Sequence, residues 1–255
     1  MKYLISLSVV FVLISCTTTR ENENEKSPYD QFNDEEVREV MERAIEYAGG
    51  IEQWRTLKTI AYTKRSKLIL EGNILEYDIT QEHSYQMQPD FSATIKWNQD
   101  SSKHLIKYSP EESIRMLNDT IVDLDPSKVK ESAMSALFVL GMPFKLMDDG
   151  VQLSYSGSTL FMDSVEADVI QALYDPENVS THSTNDLWWF YFEKESGKFL
   201  GSKVYHAPTY ALIHNLSFTD TPIKFPKRRK SYRVDSLENI QFLRAEFWYS
   251  DFKMD

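Results

Sequence analysis

Residues 57–87 read LKTIAYTKRSKLILEGNILEYDITQEHSYQM, and this stretch decides the fold. Two long strand-like runs, 57–70 and 74–87, flank Glu71-Gly72-Asn73, a triplet whose Gly and Asn tolerate the left-handed backbone of a tight reversal. That is a hairpin, so its pairing is antiparallel. Working outward, strand-like runs continue at 91–97, 103–108, 113–117 and 120–124, with Asn118-Asp119 turning between the last two. They resume at 151–155, 158–162, 167–174, 187–194, 198–206, 210–219, 230–235 and 240–249, where Glu195-Ser196-Gly197 marks another turn. Each run can pair with its sequence neighbour, so an antiparallel sheet is expected.

Two helices interrupt this pattern. Asn33-Asp34-Glu35-Glu36 supplies an N-cap with following acids, and Val37, Val40, Met41, Ala44, Ile45 and Ala48 recur at helical spacing before Gly49-Gly50. The opposite face is mixed in charge, which favours packing on the chain's own sheet over lying on a membrane surface. Asp125-Pro126-Ser127 opens the second helix; Val129, Ala133, Ala136, Leu137 and Leu140 form its stripe, Met134 and Phe138 widen it, and Gly141 and Pro143 end it. The expected class is mainly β (α+β): a curved antiparallel sheet, or open half-barrel, covered by an N-terminal and a mid-chain helix. It forms one domain over 33–255, since no internal linker is long enough to separate two.

At 255 residues and 42% hydrophobic the chain can bury a large core, and 13% aromatics suit strands. A formal charge of −11 repels a phosphate backbone and argues against nucleic acid as partner. One cysteine excludes disulfides and thiolate metal sites. That cysteine ends MKYLISLSVVFVLISC, where Lys2 precedes an apolar run too short to span a bilayer, the pattern of a secretory signal peptide over 1–15. Leu13-Ile14-Ser15-Cys16 resembles the bacterial lipobox, which implies that Cys16 becomes the acylated N-terminus and that the membrane is a partner through it. Residues 16–32 are polar and read as a flexible tether from that lipid; Glu21, Glu23 and Glu25 within it offer a sorting signal as the alternative.

Further segments carry a family resemblance. They are residues 44–54 (AIEYAGGIEQW) followed by Leu57-Lys58-Thr59-Ile60, then Leu140 to Leu146 with Asp149-Gly150, and Ile223-Lys224-Phe225-Pro226. They resemble a Bacteroidetes-type lipoprotein group, DUF6503-like, which is similar in architecture to the LolA/LolB-like proteins. The resemblance implies an open half-barrel that holds acyl chains beneath helical lids, in the cell envelope and at the outer membrane. No protruding apolar loop is assigned as an acceptor tip.

A half-barrel must fill its concave face with helices, a ligand or both. Leu187-Trp188-Trp189-Phe190-Tyr191-Phe192 is apolar on both faces, and Leu243, Ala245, Phe247 and Tyr249 are expected to share one. Trp188, Phe190, Phe192, Leu243 and Phe247, with Leu140 and Phe144 near the lid, are the candidate lining for a lipid or acyl chain; plain core packing is the competing reading. The expectation is a non-catalytic binder whose two helices leave the hollow partly unfilled.

Chemistry is less well supported. No nucleophile elbow, metalloprotease motif or phosphate loop occurs, and no cofactor is implied. His206 and His214 on adjacent strands make a poor zinc pair, and the polar loop 175–186 lacks calcium-loop spacing. An envelope hydrolase using Asp149, Asp163 or Asp186 at the open end is one alternative. A scaffold gripping a protein partner by its sheet edge is another. Lys224, Lys227, Arg228, Arg229 and Lys230 form the one basic run, read as a solvated turn and strand edge, with anionic headgroups as the alternative.

Overall fold

The computed structural model describes residues 27–123, 125–174 and 186–255. β1 (Thr59–Leu70) and β2 (Ile74–Gln86) form the expected hairpin, with Gly72 (φ 76°) and Asn73 (φ 63°) in the left-handed region at its turn. β3 (Ser92–Gln99), β4 (Ser102–Tyr108), β5 (Ser113–Leu117) and β6 (Thr120–Asp123) extend this meander by nearest-neighbour pairing. A second meander comprises β7 (Val151–Phe161), β8 (Val165–Tyr174), β9 (Leu187–Glu193), β10 (Phe199–His206), β11 (Thr209–Phe218), β12 (Pro226–Val234) and β13 (Ile240–Met254). The two runs expected at 151–155 and 158–162 are one strand, β7, whose register shifts between Tyr155 and Ser158 around Gly157 (φ 89°).

All thirteen strands make one antiparallel sheet in the order β6-β5-β4-β3-β2-β1-β13-β12-β11-β10-β9-β8-β7. The meanders meet where β1 pairs β13, with Ile60 opposite Met254. Within the described residues the sheet does not close, and β6 and β7 are its two edges. α3 (Pro126–Leu140) connects those edges across the concave face. There Ala133, Leu137, Phe138 and Leu140 join Ile60, Tyr85, Ile170 and Phe190, residues of both meanders, in the main core.

α1 (Glu35–Tyr47) begins as its sequence predicts: the Asp34 carboxylate accepts from the Val37 amide at 3.2 Å. Its buried stripe, Val37, Val40, Met41, Ala44 and Ile45, enters the same core. Gly49 (φ 119°) ends it where a Cβ would stand 2.0 Å from the Pro222 carbonyl oxygen, a space open to glycine alone. α2 (Ile51–Thr56) follows directly. Of the expected tether over 16–32, only 27–32 falls within the described residues. Pro28–Gln31 forms a 3₁₀ turn capped by Ser27, Phe32 is buried in the core, and the Phe32 carbonyl accepts from Arg38 at 3.0 Å. Residues 1–26, with the expected signal peptide and Cys16, lie outside the described residues.

The tip of the β1–β2 hairpin carries apolar residues. Leu70, Ile74 and Leu75 there are exposed apolar side chains, alongside β13, whose Arg244 donates to the Ile69 carbonyl. Among the described residues no helix is long and apolar enough to cross a membrane.

Candidate functional site

Alternation along β9 puts Trp188, Phe190 and Phe192 on the concave face. Trp189 and Tyr191 take the convex face, where they pack with Phe161, Val169, Leu200 and Leu212. Phe190 and Phe192 are fully buried and Trp188 is half-buried, stacked on Phe190 at 5.8 Å and edge-on to Phe138 at 5.9 Å. Leu140 and Phe144 are buried in the same core, Phe144 stacked on Trp54 at 4.9 Å. Phe247 packs at the margin of this group, with the Lys64 ammonium 5.3 Å from its ring centre.

Leu243 does not belong there. β13 carries a register shift: Ala245 lies opposite Ser231, whereas Leu243 lies opposite Tyr232, the next residue on β12. Ser231 and Tyr232 point to opposite faces, so the bulge sends Leu243 to the convex side and Phe242, opposite Arg233, to the concave one.

The hollow expected beneath the helices is filled. Leu137, Phe138, Leu140, Phe144 and Leu146 occupy it. Beneath Phe138 there remains a cavity of about 10 Å³ lined by Phe138, Val139, Met142, Trp188, Phe190, Phe199, Ser202, Ile213 and Arg229, the size of a single water, and a solvent-open hollow of about 350 Å³ runs along the start of α3 at Val129, Ile106 and Arg115. The larger hollows, about 540 and 400 Å³, are open and adjoin on the other face. Their shared wall, Thr63, Glu82 and Lys96, consists of cross-strand partners pointing away from Tyr62 and His83.

A buried polar stripe that sequence reasoning missed crosses the concave face. Arg229 is 2% exposed, and its Nε donates to Asn215 Oδ1 at 2.8 Å, while Asn215 Nδ2 donates to the Phe199 carbonyl at 3.0 Å. The strand edge expected at 227–230 is instead the interior strand β12. There Arg228 and Lys230 face outward to Glu246 on β13, and Arg229 between them faces the core. Burial lowers the Arg229 pKa, opposed by the phenols of Tyr249 and Tyr62. No alternation of apolar and polar residues in Pro226-Lys227-Arg228-Arg229-Lys230 announces which cation turns inward.

The chemical alternatives disperse. Asp149 precedes β7 and Asp163 follows it, so an eleven-residue strand separates them. Asp186 meets His206, Nδ1 to Oδ1 at 2.7 Å. His214 pairs in register with Gly201 and His206 with Thr209, leaving the two histidines apart along the strands. Among the described residues no three His, Cys, Asp or Glu side chains gather as a metal site. Most of the loop 175–186 lies outside the described residues.

A DUF1329 family protein from Desulfovibrio piger aligns over 86% of this chain and 93% of its own, with TM-score 0.54 and 11% identity. An outer membrane lipoprotein-sorting protein domain from Vibrio parahaemolyticus aligns over 87% and 91%, with TM-score 0.50 and 9% identity. The fold is shared with both. A LolA superfamily protein from Nitrosomonas europaea, NE2245, also aligns over 85% and 92%, at TM-score 0.49 and 8% identity. Such identities speak for the fold alone. No family model and no curated protein matches the sequence.

On the first meander, His83 couples the concave face to pH. It is buried against Tyr62 (ring centres 4.6 Å apart) and within 3.0 Å of the Tyr85 hydroxyl, and its Nε2 has no partner. Burial, aided by the Lys64 charge, pushes its pKa down to about 3. Between pH 6.5 and 3 the unfolded chain therefore binds the proton and the folded chain does not, so His83 costs no stability above pH 6.5 and progressively more below it. His83→Phe should flatten that slope, by about 2 kcal/mol between pH 7 and 5, in urea unfolding at each pH. An unchanged slope would show that His83 is protonated in the folded protein.

Proposed function

We propose that this chain is a non-catalytic holder of a lipid or similar apolar ligand, tethered to the envelope by acylated Cys16, with α3 as a displaceable lid. One observation carries the reading: the concave face of an unclosed sheet is covered by helices, α1 and the strap α3, and not by a second sheet. The strap fills the face with Leu137, Phe138 and Leu140, whose hydrocarbon an acyl chain can replace like for like. Each Å² of apolar ligand surface removed from water contributes about 25 cal/mol, to be set against the cost of lifting the strap. With a cavity of about 10 Å³, binding requires that displacement. Leu13-Ile14-Ser15-Cys16 supports the anchor, and the separation of Asp149 from Asp163 supports binding without hydrolysis.

Titration with a fluorescent long-chain acyl probe tests it. Saturable one-site binding is expected, together with faster amide exchange across residues 126–147. No saturable uptake, or uptake that leaves α3 as protected as before, overturns the proposal.

The filled interior favours a second reading, an acylated scaffold that binds a protein through its β6 or β7 edge. The same titration separates the two, since a scaffold takes up no acyl probe.

A further inference from the structure

Arg229 poses an electrostatic problem that the fold leaves unsolved. The strands around it, β1 and β9 to β13, carry three carboxylates, and all point away. Glu193 lies opposite Ala167 on the convex side, Glu246 opposite Lys67 and Lys230, and Asp251 on the wall of the outer hollow. Among the described residues Arg229 makes no ion pair, in a chain whose acids outnumber its bases by 39 to 28. Burying a guanidinium without an anion is costly, and the Asn215 amide oxygen and the Tyr249 hydroxyl that hydrogen-bond it supply no carboxylate. Two other donors line the same small cavity: Ser202, 4% exposed, and Trp188, whose buried indole N–H has no acceptor. The remaining lining is apolar: Phe138, Val139, Met142 and Phe190.

We infer that the ligand of this face is a long-chain carboxylic acid, its carboxylate on Arg229 and its alkyl chain in the seat that α3 now fills. The inference rests on the lipid-holding reading and narrows it. One buried positive charge matches a monoanion, and a planar guanidinium suits the two oxygens of a carboxylate. The indole N–H and the serine hydroxyl supply further donors to those oxygens. A neutral lipid would leave the charge unpaired, so the site selects by headgroup charge as well as by chain.

Binding of myristate and of monomyristin, equal in chain length but charged and neutral, tests the inference on the full-length protein by calorimetry. Myristate should bind at least tenfold more tightly. Arg229→Met should abolish that preference while monomyristin affinity holds. Trp188→Phe, which keeps an aromatic ring, trims the indole and removes its N–H, should cost myristate several-fold more than it costs monomyristin. If Arg229→Met fails to fold, the Trp188→Phe result decides alone. Equal binding of the two ligands by the unaltered protein, or an anion preference that survives both substitutions, overturns the inference and leaves the lipid-holding reading standing. Binding of neither ligand removes that reading as well.

Discussion

Phe138→Ala is expected to lower the unfolding free energy by about 3–5 kcal/mol, the range for deleting a buried phenyl ring. The ring is 2% exposed and lies edge-on to Tyr174 at 5.5 Å and Trp188 at 5.9 Å, so its loss removes dispersion contacts on two sides. The void would adjoin the existing 10 Å³ cavity, and flanking strands held in a ladder cannot collapse into it. Urea denaturation measures the loss. A destabilisation below about 1 kcal/mol would mean that α3 is not the filling of this face. The same change should tighten acyl-probe binding, because less of the plug has to leave. Weaker stability with stronger binding distinguishes a lid from an ordinary core helix.

Asp168→Ala should cost about 2–4 kcal/mol through a different mechanism. Asp168 is 4% exposed and accepts three hydrogen bonds: from Arg43 Nη2 at 2.9 Å, Tyr155 hydroxyl at 3.0 Å and Ser158 hydroxyl at 2.8 Å. Removing it takes the acceptor from all three donors, one of them the guanidinium that fastens α1 to β8; the Tyr155 and Ser158 hydroxyls, 3.0 Å apart, can then bond only each other. Arg43 is 35% exposed and regains some water, which holds the loss below that of a fully buried pair. Asp168→Asn, which keeps an acceptor oxygen and drops the charge, should fall between wild type and alanine. Hydrogen exchange over α1 should quicken in the same order. An α1 that stays protected in the alanine variant would show that its apolar stripe alone holds it.

The strands and both helices were legible because local signals agreed with the fold: Gly72 and Asn73 at the hairpin, Asp34 and Asp125 at helix starts, apolar residues at helical spacing. Trp188, Phe190 and Phe192 were placed on one face by simple alternation. Leu243 was misplaced because a bulge in β13 reverses alternation without leaving a Gly or Pro as a marker. Whether the hollow is filled depends on the volume of α3 against the curvature of the sheet, and no periodicity encodes that. Arg229 was hidden for a related reason. A run of cations looks solvated from end to end, and only the register of β12 reveals that one of them turns inward.

The pairing of Ile60 with Met254 has a kinetic corollary. The first strand made by the ribosome waits for the last before it gains its second neighbour, so the middle of the molecule assembles latest and loop closure spans nearly the whole domain. Until then each meander is a separate half with a bare inner margin. A chain clipped within its final fifteen residues would therefore come apart along its centre line, where most proteins would merely fray at an end.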